Sequence, residues 1–367
     1  MTTKLFRFFV GYDWLLALAM LLLTALGLAA IYSVDLSRGE SLTYFPTQVL
    51  AAGLGCLFFF IAASIHKTRY ASAARMIYIG ALFMLIAVLF FGTTVRGTTG
   101  WFRFFGFSFQ PAELAKLGLV VLLGWWMSRQ GRRYDSLEFL FSSGAAMGLY
   151  VLLIFLQPDL GSAVVLVGIW FGLLLFSGAK KRYIAILVSI VIVVATLGWF
   201  FFFQTYQKER VLSFLDPERD PLNAGYNVTQ SLIAIGSGGL FGRGLGFGSQ
   251  SQLHFLPEAQ TDFIVAVIGE ELGFVGLGIL LLLYGVLLWR CIRIAALARD
   301  DFSSYTACGI ALIFFIQLVI NMGGALGLLP VTGVTLPFVS YGGSSLIINY
   351  MLVGIAESIA ISNSQRA

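Results

Sequence analysis

The sequence predicts an all-α polytopic membrane protein: ten transmembrane helices, both termini cytoplasmic, and a large extracytoplasmic loop between helices seven and eight. Three observations predict it. First, 59% of the 367 residues are apolar, 15% aromatic and only 11% charged, with a mean hydropathy of +0.90. A soluble domain carries about 25% charged residues, and 34 Phe against 23 Lys plus Arg could not be wrapped into a water-soluble surface. Second, the apolar residues fall into stretches that suit a hydrocarbon core needing about 20 residues per crossing. Third, fifteen of the 23 Lys and Arg fall on inside segments and three (Arg38, Arg96 and Arg103) on short outside loops, the asymmetry expected of positive-inside topology. Soluble, disordered, collagen-like and nucleic-acid-binding classes are excluded, and the net charge of +5 reports topology before it reports an anionic partner.

The spans are placed at 14–33, 45–65, 75–92, 112–128, 137–157, 161–177, 181–203, 264–290, 304–327 and 343–362, all within one membrane domain covering 1–367. The first stretch is followed by no small-residue cleavage site and reads as a retained span. Only Gln157-Pro158-Asp159-Leu160 separates the fifth and sixth; a kink there inside one helix would reduce the count to nine and invert everything after it. The charge asymmetry favours ten. Cys56, Cys291 and Cys308 lie in or beside apolar stretches, so neither a disulfide framework nor a metal cluster is expected. His66 and His254 are the only histidines, without zinc-ligand spacing.

The fourth span opens Phe109-Gln110-Pro111-Ala112-Glu113-Leu114-Ala115-Lys116. Proline in the first turn and glutamate near the N-terminus suit a helix start. Glu113 and Lys116, at i and i+3, share a face and can pair. Asp159 is a candidate second partner for Lys116, giving a structural ion group that fixes helix register.

The connection at about 204–263 is long enough to suggest function. Its glycines cluster between Gly236 and Gly248, a run that fits either a backbone cradle for phosphate or a re-entrant segment needing close packing. Lys208, Arg210, Arg219 and Arg243 beside it favour an anionic ligand, since guanidinium forks suit phosphate oxygens. At the end of the loop stand Glu258, Thr261 and Asp262. Thr261 or Asp262 fits a helix N-cap, and Asp262 equally fits a partly desolvated carboxylate acting as general base. Glu270 and Glu271 lie about 12 Å into the eighth span, as functional intramembrane carboxylates or as hydrogen-bonding partners. Near the C-terminus, Leu329 through Ser345 break helix with two prolines and several glycines, a feature tolerated at depth where backbone lines a cavity.

Taken together, Phe109–Lys116, Gln157–Ala163, Gly225–Gly239, Leu256–Gly273 and Leu329–Ser345 resemble the SEDS family (shape, elongation, division and sporulation), in family order and across most of the chain. The resemblance implies a peptidoglycan glycosyltransferase that polymerises lipid II, a disaccharide-pentapeptide on undecaprenyl diphosphate, for cell elongation or division. It maps the family's essential outer-loop aspartate onto Asp262, its Glu–Lys pair onto Glu113 and Lys116, and its partner aspartate onto Asp159. It also implies a class B penicillin-binding protein as partner within an elongation or division complex, and a bacterial cytoplasmic membrane with the active site on the extracytoplasmic side. One departure stands out: Gly100 precedes Trp101 where the family usually has Arg-Trp, leaving Arg96 and Arg103 as the nearest cations.

An inverting displacement needs a base for the acceptor hydroxyl and cationic or metal stabilisation of the leaving diphosphate. Asp262 is expected as the base. Arg210 and Arg243 are assigned to the diphosphate, Glu258 to a metal or hydroxyl contact, Thr261 and Lys116 to substrate binding, and a divalent cation, Mg²⁺ or Mn²⁺, is the expected cofactor. The rival class is a lipid II flippase, supported by broken helices and polar residues within spans. The gathering of carboxylates and cations on the outer half favours the enzyme.

Overall fold

The computed structural model describes residues 11–37, 42–95, 97–104, 107–130, 137–202, 205–216 and 224–364. The described residues form helices α1 (Trp14–Leu36), α2 (Tyr44–Ser64), α3 (Lys67–Phe91), α4 (Pro111–Gln130), α5 (Leu137–Phe155), α6 (Leu160–Phe176) and α7 (Lys181–Leu197, continuing as a π-helical turn over Gly198–Phe202). After them come α8 (Thr205–Leu215), α9 (Ala224–Ser237), α10 (Ser249–Gln252), α11 (Ile264–Ala296), α12 (Asp301–Ala325) and α13 (Gly343–Ser364).

Eight of these are long and apolar enough to cross a membrane, and the protein is multi-pass. The eight leave out α4 and α6, which occupy the fourth and sixth predicted spans. Helix α4 carries Glu113, Lys116 and Arg129, and α6 has only 17 residues. The 204–263 connection is not structureless, because α8, α9 and α10 lie within it. Nor is the chain purely helical. Thr93–Val95, Thr98–Phe104 and Phe107–Phe109 form a three-stranded antiparallel sheet, β1-β2-β3, with Phe102 opposite Phe109 and Arg103 opposite Ser108. Thr, Val, Trp and Phe favour a pleated, half-buried surface there, and Gly97 (φ 80°) turns the first hairpin.

Helices α4, α12 and α13 form the centre and the others surround them. The most apolar stretches of α12 and α13 are 67% and 83% buried, against 28% for α2, α3 and α5. The outer helices direct Phe83, Phe90 and Phe141 outward, as a lipid-facing surface requires. Close crossings use small residues: a Cβ on Gly354 of α13 would sit 2.6 Å from the Phe59 carbonyl of α2. The end of the bundle where α1 begins is tied by charge. Asp13 pairs with Arg290 of α11, and its N–H donates to Glu357 Oε2 of α13 at 2.9 Å.

Helix α11 is broken near its start. Gly273 adopts φ 67°, ψ −162°, a conformation that glycine alone tolerates readily. The break orphans backbone groups on both sides, and the glycine-rich run satisfies them reciprocally. Arg243 and Gly244 donate to the carbonyls of Glu270 and Glu271, while Phe274 and Val275 donate to those of Gly239 and Leu240. A Cβ on Gly238 would lie 1.9 Å from the Gly269 carbonyl, and one on Gly242 (φ 80°) 2.1 Å from that of Glu271. The run is therefore a close-packed plug in a helix break, the second of the two alternatives its glycines allowed. Glu270 and Glu271 serve the same junction: Glu270 accepts from the N–H groups of Gln250 and Ser251, and Glu271 from the Ser33 hydroxyl.

Candidate active site

Helix-start chemistry builds the site. Pro111 opens α4 where no intrahelical N–H is needed, and Gln110 N–H is held by Ser344 Oγ at 3.3 Å. Asp159 caps α6, accepting from Ser162 N (2.9 Å) and Ser162 Oγ (2.7 Å), and it also accepts from Gln110 Nε2 at 2.9 Å. These contacts join the starts of α4, α6 and α13 at one end of the bundle. The turn before α11 reaches the same place, and a cavity of about 190 Å³ opens between them. Glu113, Lys116, Asp159 and Asp262 all line it, with Trp101 of β2, Val211 of α8 and the 330–335 segment.

The cavity sets a buried cation and the start of α4 beside carboxylates. N-terminal turns present unpaired N–H groups and a partial positive charge, and α4 and α6 both begin at its wall. Lys116 adds a full charge, 2% exposed and 2.7 Å from Glu113 Oε2, which is 4% exposed. The i, i+3 pair is as expected. Asp159 differs: it lies in the same cavity, but its carboxylate is engaged in capping α6 and binding Gln110, so it makes no ion pair with Lys116.

Asp262 is half-buried and is not a helix cap. Phe263 occupies the N-cap of α11 without a side-chain cap bond, and Thr261 Oγ1 donates instead to Glu258 Oε2 (3.0 Å) and the Glu258 carbonyl (3.2 Å). Capping fails because the chain makes a tight turn first, with Glu258 at φ 54° and the N–H groups of Thr261 and Phe263 both directed to its carbonyl. Three successive carbonyls are clamped from outside this turn. That of Gln260 accepts from Tyr341 N (2.8 Å), that of Thr261 from Ser340 Oγ (2.7 Å), and that of Asp262 from Asn321 Nδ2 (3.4 Å). Gln48 of α2 fixes the clamp, bonding the Ser340 carbonyl and Gly342 N–H. Gln48 and Asn321 had no sequence signal beyond polarity in apolar surroundings, whereas Ser340 falls in the helix-breaking Leu329–Ser345 segment.

Of the arginines expected at the diphosphate, Arg243 does not reach the cavity. Arg243 is exposed and away from the cavity, its guanidinium on the Ser237 carbonyl and Ser249 Oγ (2.9 Å), because its backbone belongs to the α11 plug. Arg103 is exposed on β2 and does not line the cavity. Arg210 falls on α8, but its side chain lies outside the described residues, as do Arg96 and Arg219. Gly100 is buried, and a Cβ there would stand 3.1 Å from Gln157 Oε1, so a side chain at this position would displace the Gln157 amide slightly. Among the described residues no three His, Cys, Asp or Glu come together as a metal cage.

Comparison with known proteins places this arrangement. The family model described as cell cycle protein, covering FtsW, RodA and SpoVE, matches residues 13–365, and the chain belongs to that family. It is 40% identical to the peptidoglycan glycosyltransferase MrdB of Escherichia coli K12 over 94% of this chain and 91% of that one. It is 37% identical to the stage V sporulation protein E of Bacillus subtilis over 95% and 96%. Among solved structures it matches a chain from a peptidoglycan synthase complex that coordinates polymerisation and crosslinking, with TM-score 0.80 and 32% identity over 96% of this chain and 99% of that one. It also matches the rod shape determining protein RodA of Thermus thermophilus, with TM-score 0.71 and 31% identity over 95% and 96%.

Proposed function

We propose that the protein is a peptidoglycan glycosyltransferase of the bacterial cytoplasmic membrane that polymerises lipid II on the extracytoplasmic side. The observation that carries this reading is one cavity lined by a half-buried carboxylate, Asp262, a buried cation, Lys116, and the N-terminus of α4. A diphosphate leaving group calls for the second set and an acceptor hydroxyl for the first. At about 190 Å³ the cavity suits the reacting sugar–diphosphate junction, with the remaining disaccharide and lipid outside it.

Asp262 takes the proton from the acceptor hydroxyl as that oxygen attacks the donor's anomeric carbon. The bond from that carbon to the diphosphate oxygen breaks with inversion, and undecaprenyl diphosphate leaves. Lys116 and the N-terminus of α4 stabilise the charge that develops on it, and Glu113 holds Lys116 in place. Glu258 and Thr261 set the turn that presents Asp262. A divalent cation, Mg²⁺ or Mn²⁺, would use the Asp262 carboxylate and donor phosphate oxygens, since such ions bind through one or two carboxylates plus phosphates. It would supply charge neutralisation. In this reading α4 and α6 also cross the membrane, both termini are cytoplasmic and the cavity faces outward, supported by the positive-inside charge asymmetry, and a class B penicillin-binding protein is the partner that crosslinks the strands.

The test is lipid II polymerisation by purified protein with Mg²⁺ or Mn²⁺, alone and with its cognate penicillin-binding protein. Wild type yields glycan polymer and Asp262→Ala yields none while melting at the same temperature. Absence of polymer from folded wild type with partner and metal would overturn the reading and direct attention to lipid II flipping in vesicles.

A further inference from the structure

Asn321 of α12 touches the Asp262 turn in a way that the clamp alone does not explain. Its side chain is 4% exposed, and its Nδ2 donates to two carbonyls, those of Val334 (2.9 Å) and Asp262 (3.4 Å). Two carbonyl acceptors fix which way the amide faces, since Oδ1 could not replace the nitrogen there. Oδ1 is thereby turned the other way, buried and without a hydrogen-bond partner in the protein. Thr332 Oγ1 is in the same condition. Both residues line a small, partly open recess of about 10 Å³, walled by Ile320 and Val331, and Asp262 lines it too. Asp262 thus borders both the larger cavity and this small one, with residues 331–334.

A buried amide oxygen left unpaired is costly, and the recess has the size of one water, which needs about 10–15 Å³ and two to four polar partners. We propose that Asn321 is a positioning residue for Asp262 that acts through a single buried water held between Asn321 Oδ1, Thr332 Oγ1 and Asp262. The water hydrogen-bonds Asp262 from the side away from substrate, while Nδ2 pins the same residue's carbonyl. Together they hold the carboxylate in the orientation in which it takes the acceptor's proton. The inference rests on the glycosyltransferase reading and deepens it: the base is presented by α12 as well as by its own turn.

The experiment measures kcat and KM for lipid II with wild type, Asn321→Leu, Thr332→Val, the double variant and Asp262→Ala, all with folding verified by thermal melting. Thr332→Val keeps the side-chain shape and removes the water's partner; it lowers kcat about tenfold with KM unchanged, the effect of one lost hydrogen bond, whereas a lost substrate contact would raise KM. Asn321→Leu removes clamp and water together and lowers kcat about a hundredfold, again without raising KM. Because both variants lose the same water, the double variant is no slower than Asn321→Leu. Wild-type kcat in Thr332→Val, or a double variant whose losses multiply, overturns the proposal. Should Asn321→Leu not fold, Thr332→Val decides alone. Wild type without polymer overturns the glycosyltransferase reading and this with it, whereas an active wild type, a dead Asp262→Ala and a fully active Thr332→Val overturn only this inference.

Discussion

Lys116 Nζ lies 2.7 Å from Glu113 Oε2 at the start of α4, both side chains almost wholly withdrawn from solvent and both on the wall of the cavity that Asp262 shares. A buried ion pair is weak evidence for stability, since desolvation offsets most of the attraction, but removing one partner leaves an uncompensated charge. Lys116→Met should therefore lower stability by about 3 kcal/mol or more, read as a fall in melting temperature in detergent, and should abolish polymerisation. The double variant Glu113→Gln with Lys116→Met should recover most of the melting temperature and none of the activity. Recovered activity would assign Lys116 to architecture alone.

Gly273 is the second fixed point. A Cβ there would meet Gly242 N at 2.3 Å and the Leu240 carbonyl at 2.6 Å, in a backbone conformation that already excludes other residues. Gly273→Ala should cost about 3 kcal/mol from the strained backbone alone, with the clash added. Gly278→Ala, five residues on with nothing within 4 Å of its Cβ position, should leave the melting temperature unchanged or raise it. The pair of melting curves separates plug disruption from ordinary helix propensity.

Much of this was legible because apolar surroundings make polar residues conspicuous. Glu113, Lys116, Asp159 and Asp262 interrupt long hydrophobic text, and charge in a membrane chain needs a reason. Arg243 misled because sequence shows a cation beside glycines but not that its backbone is committed to the carbonyls of a broken helix. The break itself was hidden: Glu270 and Glu271 mark the place, but a lone glycine after them does not say that the helix is interrupted. The strands at 93–109 are short and pair only with one another, so no periodicity announces them. Asn321 and Ser340 acquire meaning only from the turn that they grip, which is a property of packing between distant segments.

At the other ends of the helices, Lys67 pairs with Asp300 at 2.5 Å, joining α3 to the start of α12. Burial alone would raise the Asp300 carboxyl, but hydrogen bonds from Lys67 and Ser303 and the Lys67 charge outweigh it and hold the group below its ordinary 3.8. A carboxyl depressed on folding contributes stability that is present above its unfolded pKa and lost as pH falls through the folded one. Wild type should accordingly lose melting temperature on acidification below about pH 4. Asp300→Asn should melt slightly lower at pH 7 and lose less on acidification. Parallel pH dependences in the two proteins would remove Asp300 from the account.

Gly333 separates backbone strain from catalytic placement. It adopts φ 80°, and a Cβ there would stand 4.0 Å from Asp262 Oδ2, within ordinary contact distance. Gly333→Ala therefore introduces no clash; it imposes about 1–2 kcal/mol of left-handed strain on the segment that lines both cavities beside Asp262. Gly178→Ala provides the control, with φ 78° and nothing within 4 Å, in the turn after α6 and away from the cavity. Both variants should lose a similar, modest amount of melting temperature. If the 330–335 segment positions substrate against Asp262, only Gly333→Ala should slow lipid II polymerisation, by about tenfold for strain relieved through displacement of roughly 1.4 kcal/mol in placement. Equal rates from the two would mean that this segment encloses the cavity without contributing to the geometry of the reaction.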